Sequence, residues 1–171
     1  MRRLTTLGLL LRSCAATPVL AQTPTTDPMA GTWKLNVTQS TFAGAAPQSI
    51  VYRYENRPDG FTLWVSSTIG ASGNPGFSIS LRKYDGRNYP AYNVGTATTL
   101  LVDGARTNWT QASRMVDAYT TELENKTDGV VTQKVTRTMA RDGKSFTMRT
   151  YDTAGALTST QLFEKVELPP S

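Results

Sequence analysis

The chain has 171 residues, 18 Lys and Arg against 13 Asp and Glu, a formal net charge of +5, one cysteine and no histidine. Without imidazole and with a single thiol, it lacks the groups on which most nucleophilic catalysis and transition-metal binding depend. We therefore expect no catalytic residue, no metal site and no cofactor. The length is that of one domain, large enough to bury a core without disulfide bonds.

The first 21 residues have the pattern of a signal peptide. Two arginines precede an apolar stretch from Leu4 to Leu11, and a second apolar stretch ends at Ala21 in short side chains that suit cleavage before Gln22. Arg12 interrupts the apolar run, which is then shorter than the roughly 20 residues that cross a membrane as a helix. The sequence therefore predicts a periplasmic or secreted protein with no stable membrane span.

Cys14 offers an alternative within the same leader, because a lipoprotein signal would leave this cysteine acylated as the new N-terminus. Arg12 beside that site disfavours lipid anchoring. Removal of the leader takes away three arginines and lowers the formal charge from +5 to +2. The remaining Lys and Arg are dispersed, with no run that would follow a phosphate backbone, so no nucleic-acid partner is expected.

Residues 22–30 are rich in Thr and Pro and lack hydrophobic periodicity, which predicts a disordered linker before a barrel domain at 31–168. From Gly31 onward, alternation with a period of two predicts strands and no long amphipathic helix. The clearest strands lie at residues 32–37, 49–55, 61–68, 77–82, 130–140 and 159–166. The turn signals are Pro58-Asp59-Gly60, Ser72 to Gly76, Asp85-Gly86, Asp103-Gly104, Asp128-Gly129 and Asp142-Gly143.

This rhythm predicts an all-β fold, a single up-and-down antiparallel barrel of 8 to 10 strands. Closure is favoured over an open sandwich because the first and last strands lack the Pro or inward-facing charge that protects a free edge. A barrel of this size either fills itself with side chains or holds one small ligand.

Several segments carry a family resemblance. Gly31-Thr32-Trp33 resembles the Gly-X-Trp signature of the lipocalin and calycin barrels. Further segments are similar to small exported bacterial lipocalin-like proteins: Ser40-Thr41-Phe42, Lys83 to Gly86, Tyr89-Pro90 and Arg141 to Thr147. The resemblance implies a lipocalin-like barrel with a habit of binding small ligands, and it implies that Trp33 is a structural plug at the closed end. The chain is also similar to avidins, but Trp64 and Trp109 do not match the Trp segments of a biotin pocket.

The strand at 130–140 offers the best candidate for polar groups inside the barrel. Gln133 and Arg137 share the phase of Val135, so a ligand carboxylate is one possible partner for Arg137. Two alternatives stay open: Arg137 lies at the barrel mouth, or the opposite phase, with Lys134, points inward. Aromatic rings with polar tips are further candidates for the ligand-binding wall, namely Tyr52, Tyr54, Trp64, Tyr84 and Tyr151.

Together these features predict a monomeric carrier of a small hydrophobic or amphipathic ligand. Two other classes remain open. The first is a histidine-free barrel enzyme with the acid-base chemistry of an isomerase or cyclase. The second is a cavity-free structural or interaction domain, which would have a filled interior.

Overall fold

The computed structural model describes residues 27–93 and 108–167, and within them the chain forms ten strands and no helix. The strands are β1 (Gly31–Thr41), β2 (Ser49–Asn56), β3 (Thr62–Ile69), β4 (Pro75–Arg82), β5 (Asp85–Asn93), β6 (Trp109–Met115), β7 (Thr120–Thr127), β8 (Val130–Met139), β9 (Ser145–Tyr151) and β10 (Leu157–Lys165). No helix among the described residues is long and apolar enough to span a membrane. The predicted signal peptide with Cys14, residues 22–26 of the linker and the turn Asp103-Gly104 lie outside the described residues.

The strands close into one barrel in which each strand pairs antiparallel with its neighbours in the chain. Closure comes from β1 and β10, where Trp33 pairs with Lys165 and Leu35 pairs with Phe163. Both edges are thereby satisfied by backbone hydrogen bonds. The prediction of an all-β, closed up-and-down barrel with 8 to 10 strands is confirmed.

The turn signals have two different outcomes. Asp128-Gly129 forms a two-residue hairpin between β7 and β8, with φ of 52° and 80°, as expected for a turn that needs two left-handed residues. Asp85-Gly86 instead belongs to β5, where the register with β6 shifts between Asp85 and Asn88. Gly86 lies at this irregularity of β5, and the turn between β4 and β5 comes before Asp85.

The first described residues, Asp27 to Ala30, fill the barrel end at which β1 begins; we call this segment the plug. The Asp27 amide donates to Asn56 Oδ1 and Asn56 Nδ2 donates to the Asp27 carbonyl, each at 3.0 Å. Asp27 and Met29 are buried. Residues 27–30, which the sequence analysis assigns to the linker, therefore bond to the barrel through side chains and backbone. Gly31, at φ of 131°, leads the chain from the plug into β1.

An aromatic core lies directly under the plug. Trp33 is fully buried, donates from Nε1 to the Met29 carbonyl at 2.7 Å, and meets Phe146 edge-on at 5.0 Å between ring centroids. Phe146 stacks on Phe163 at 4.8 Å. These contacts agree with a structural role for Trp33, since a large ring with a satisfied N–H is a stable way to fill a barrel end.

Strand β4 places its polar residues inside the barrel. Ser80 and Arg82 are buried, while Phe77 and Leu81 on the opposite phase are 37% and 39% exposed. On the neighbouring strand β3, Thr62 and Trp64 also face inward, because each lies opposite an inward-facing residue of β4. Thr62 pairs with Arg82, and Trp64 pairs with Ser80. This side of the barrel therefore lines its interior with polar groups and a single indole.

Candidate ligand cavity

A buried ion pair joins the plug to β8. Arg137 Nη1 lies 3.3 Å from Asp27 Oδ2, and both side chains are almost completely buried. Arg137 Nε donates to Thr121 Oγ1 at 2.9 Å, and Nη2 donates to the Tyr84 hydroxyl at 2.7 Å. That hydroxyl in turn donates to Asp27 Oδ2. Every nitrogen of the Arg137 guanidinium thus has a partner supplied by the protein itself.

The surroundings keep Arg137 charged. Burial lowers its pKa, but the charge of Asp27 and the neighbouring Tyr54 raise it by more, so the pKa ends above its ordinary value. The phase of β8 predicted to face inward does so, and the alternative that turns Lys134 inward is wrong, because Lys134 is exposed and paired with Glu124 on the outer surface. Arg137 lies against the plug and is 1% exposed, so it is not at an open mouth of the barrel.

A cavity of about 280 Å³ lies inside the barrel beyond this ion pair. That volume equals about nine water molecules at about 30 Å³ each, which suits a ligand of about ten non-hydrogen atoms. Its apolar wall is mainly aromatic: Tyr52, Tyr54, Trp64 and Trp109. Its polar wall includes Arg82, Arg137, Gln111, Asn125, Gln133, Thr150 and Gln161. The lining contains no Asp or Glu among the residues that the structure describes.

The aromatic wall is held by ring contacts. Tyr52 stacks on Phe163 at 4.6 Å and meets Trp64 edge-on at 5.6 Å, and Trp64 meets Trp109 at 6.3 Å. Burial, followed by the proximity of Tyr54, raises the pKa of Tyr52 well above its ordinary value. Its hydroxyl therefore stays neutral and can donate a hydrogen bond. Three of the predicted ligand-binding residues, Tyr52, Tyr54 and Trp64, are brought together here.

Arg82 is the principal site residue that the sequence interpretation missed. It is 1% exposed, donates from Nη1 to Gln111 Oε1 at 2.7 Å, and lies over the Trp64 ring at 5.5 Å from the centroid. Within residues 27–93 and 108–167 it forms no ion pair. Burial, followed by the charge of Arg137, lowers its pKa to about 10, so Arg82 remains a cation at neutral pH.

A chain of side-chain amides leads from Arg82 along the cavity. Gln111 Nε2 donates to Asn125 Oδ1 at 3.0 Å, and Asn125 Nδ2 donates to Gln133 Oε1 at 2.9 Å. Trp109 Nε1 also donates to Asn125 Oδ1, at 3.2 Å. Because Arg and Trp nitrogens only donate, the amide orientations are fixed, and each carbonyl oxygen faces toward Arg82. The predicted site residue Gln133 ends this chain.

Several buried polar atoms near the cavity lack hydrogen-bond partners in the described part of the chain. They include Trp64 Nε1, Arg82 Nε and Gln161 Oε1, and all three side chains line the cavity. Buried polar groups in native proteins are nearly always paired, since an unpaired one costs about 1–3 kcal/mol. A bound molecule with a polar end would supply the missing partners.

Two predicted residues do not join this site. The Tyr84 hydroxyl bonds with Asp27 and Arg137 beside the plug, and Tyr84 does not line the cavity. Tyr151 pairs across strands with the outward-facing Lys134 and lines an external groove. Tyr151 does not line the cavity, because its strand places Thr150 inward and Tyr151 on the opposite face.

No protein-family model matches the chain, and no curated protein matches it. Its class therefore follows from the structure, a closed ten-stranded antiparallel barrel that is consistent with a lipocalin-like fold. The distinguishing feature within that class is a small cavity with an aromatic wall and a polar wall, lined by the two buried cations Arg82 and Arg137.

Proposed function

We propose that this protein is an exported carrier of the lipocalin and calycin type that binds a small amphipathic molecule inside its barrel. The observation that carries the proposal is the cavity of about 280 Å³, whose lining combines aromatic rings with polar atoms that have no partner among the described residues. Concave, largely apolar sites with a few polar groups are typical of small-molecule binding.

The two walls of the cavity contribute differently to the free energy of ligand binding. Six buried CH2 groups would contribute about 5 kcal/mol at about 0.8 kcal/mol each, which corresponds to a submillimolar Kd before the cost of association. The aromatic wall therefore accepts the apolar body without binding it tightly. Affinity and orientation come from the polar wall, where Arg82 and Gln111 lie.

The alternatives receive less support. A cavity-free structural domain would require a filled interior, and this barrel holds open space. An acid-base enzyme would require a titratable acid or base near neutral pH, but the described lining has no carboxylate, and Tyr52 is held neutral by its raised pKa. Export rests on the pattern of residues 1–21.

Filling the cavity is expected to abolish binding. Ser159 lines it, so Ser159→Phe should weaken binding of octanoate and of octan-1-ol at least tenfold, measured by native mass spectrometry and tryptophan fluorescence. Thr160→Phe is the matched control, because the next residue on β10 faces outward, and its affinities should stay within about twofold. Binding that persists in Ser159→Phe, or a wild-type protein that binds neither probe, would contradict the proposal.

A further inference from the structure

The described interior of the barrel contains two guanidinium groups and one carboxylate. Asp27 is committed to Arg137 by the 3.3 Å ion pair and by its bond from Tyr84. Arg82 is equally buried, and among the described residues its hydrogen-bond partner is the neutral Gln111. A buried charge without a counter-ion carries a large desolvation penalty, which an arriving anion would relieve.

We propose that Arg82 is the headgroup site and that the ligand is a small monocarboxylate whose apolar body rests on Tyr52 and Trp64. The proposal rests on the proposed function, since it assigns the chemistry of the same cavity. A guanidinium binds a carboxylate through two parallel N–H···O bonds, and the Nε of Arg82 is free for one of them. A monoanion also matches the single excess positive charge, whereas a dianionic phosphate would overcompensate it.

The neighbourhood of Arg82 offers a second donor to the same headgroup. The guanidinium carbon lies 5.5 Å from the centroid of the Trp64 ring, and the buried Trp64 Nε1 has no partner within residues 27–93 and 108–167. One carboxylate can therefore satisfy both side chains. Arg137, the predicted headgroup ligand, is unsuited to this role because Asp27, Tyr84 and Thr121 already occupy its nitrogens.

The test compares octanoate with octan-1-ol by isothermal titration calorimetry. Wild-type protein is expected to bind octanoate at least 30-fold more tightly than the alcohol, and Arg82→Gln should lose about that factor for octanoate alone, as removal of a buried charged partner does. Arg149→Gln is the matched control, because Arg149 is an exposed cation on β9, and its octanoate affinity should not change.

A second variant keeps the test valid if Arg82→Gln does not fold. Gln111→Glu places a carboxylate 2.7 Å from Arg82 Nη1 and gives it an internal counter-ion, so the variant should fold but lose the preference for octanoate. Equal binding of acid and alcohol by wild type, or an octanoate preference that survives both variants, would overturn the anion site while leaving the carrier function intact. Failure to bind either probe would overturn both.

Affinity for octanoate should depend on pH in a way set by Arg82. The pKa of Arg82 near 10 reflects burial and Arg137, partly offset by Tyr54, Asp27 and Tyr52. Octanoate affinity is therefore expected to stay constant between about pH 6 and 9 and to fall as pH rises through 10, where Arg82 loses its proton. Octan-1-ol affinity should stay constant over the same range. A decline centred near neutral pH would overturn the assignment to a guanidinium.

Discussion

Replacing Asp27 with asparagine is expected to lower the free energy of unfolding by about 3–5 kcal/mol. The substitution removes the charge that pairs with Arg137 and leaves two buried guanidinium groups with no described carboxylate between them. Such a loss is a large fraction of the 5–15 kcal/mol typical of a domain. Urea unfolding followed by circular dichroism measures it directly.

The matched control is an ion pair on the surface. Arg53 and Glu55 are 3.1 Å apart but largely exposed, so Glu55→Gln should cost no more than about 1 kcal/mol. Combining Asp27→Asn with Arg137→Met should recover much of the lost stability, because the stranded cation is then gone. A cost for Asp27→Asn no greater than that of Glu55→Gln would show that the plug does not hold the barrel end.

Trp33→Ala is expected to cost about 3–5 kcal/mol through the cavity that it leaves beneath the plug. Trp33 packs on Phe146 and bonds with the Met29 carbonyl, so its loss affects the plugged end of the barrel. Trp33 does not line the ligand cavity, and the folded variant should retain its octanoate affinity. Urea unfolding and calorimetry together test both halves of this expectation.

Trp64→Phe gives the opposite pattern and serves as the comparison. Trp64 lines the cavity, and its Nε1 has no partner in the described part of the chain. Its replacement should therefore change the free energy of octanoate binding by more than it changes the free energy of unfolding. If Trp33→Ala weakened octanoate binding in a folded protein, the plugged end of the barrel and the ligand cavity would not be independent of each other, contrary to this expectation.

Local patterns were sufficient to predict the architecture. Alternation with a period of two and turn signals such as Asp128-Gly129 depend on neighbouring residues, and the structure forms strands and a tight hairpin at those places. The pairing of β1 with β10 also followed from a local property, the unprotected edges of both strands.

Alternation could not predict which phase faces inward. In β4 the apolar phase of Phe77 and Leu81 lies outside, and Arg82 lies inside. The usual assignment of apolar residues to the core holds when the interior is a solid core. It fails here because the interior is a cavity with a polar wall, so Arg82 resembled an ordinary solvent-facing arginine in the sequence.

The ion pair of Asp27 with Arg137 could not be predicted from the sequence, for a different reason. Its partner Arg137 is 110 residues away in the chain, and no local pattern reports a contact of that range. The Thr- and Pro-rich composition around Asp27 predicted a linker, whereas long-range hydrogen bonds with Asn56 and Arg137 hold this segment in the barrel. Without that contact, Arg137 was the natural choice for a ligand-binding cation.

A crystal structure with para-bromobenzoate, which has about ten non-hydrogen atoms, would show whether the cavity binds a carboxylate at Arg82. Anomalous bromine density is expected inside the barrel beside Tyr52 and Trp64, with a carboxylate oxygen about 3 Å from a nitrogen of Arg82. Bromine in the external groove near Tyr151, or a carboxylate bound to surface lysines with the cavity unoccupied, would contradict this expectation.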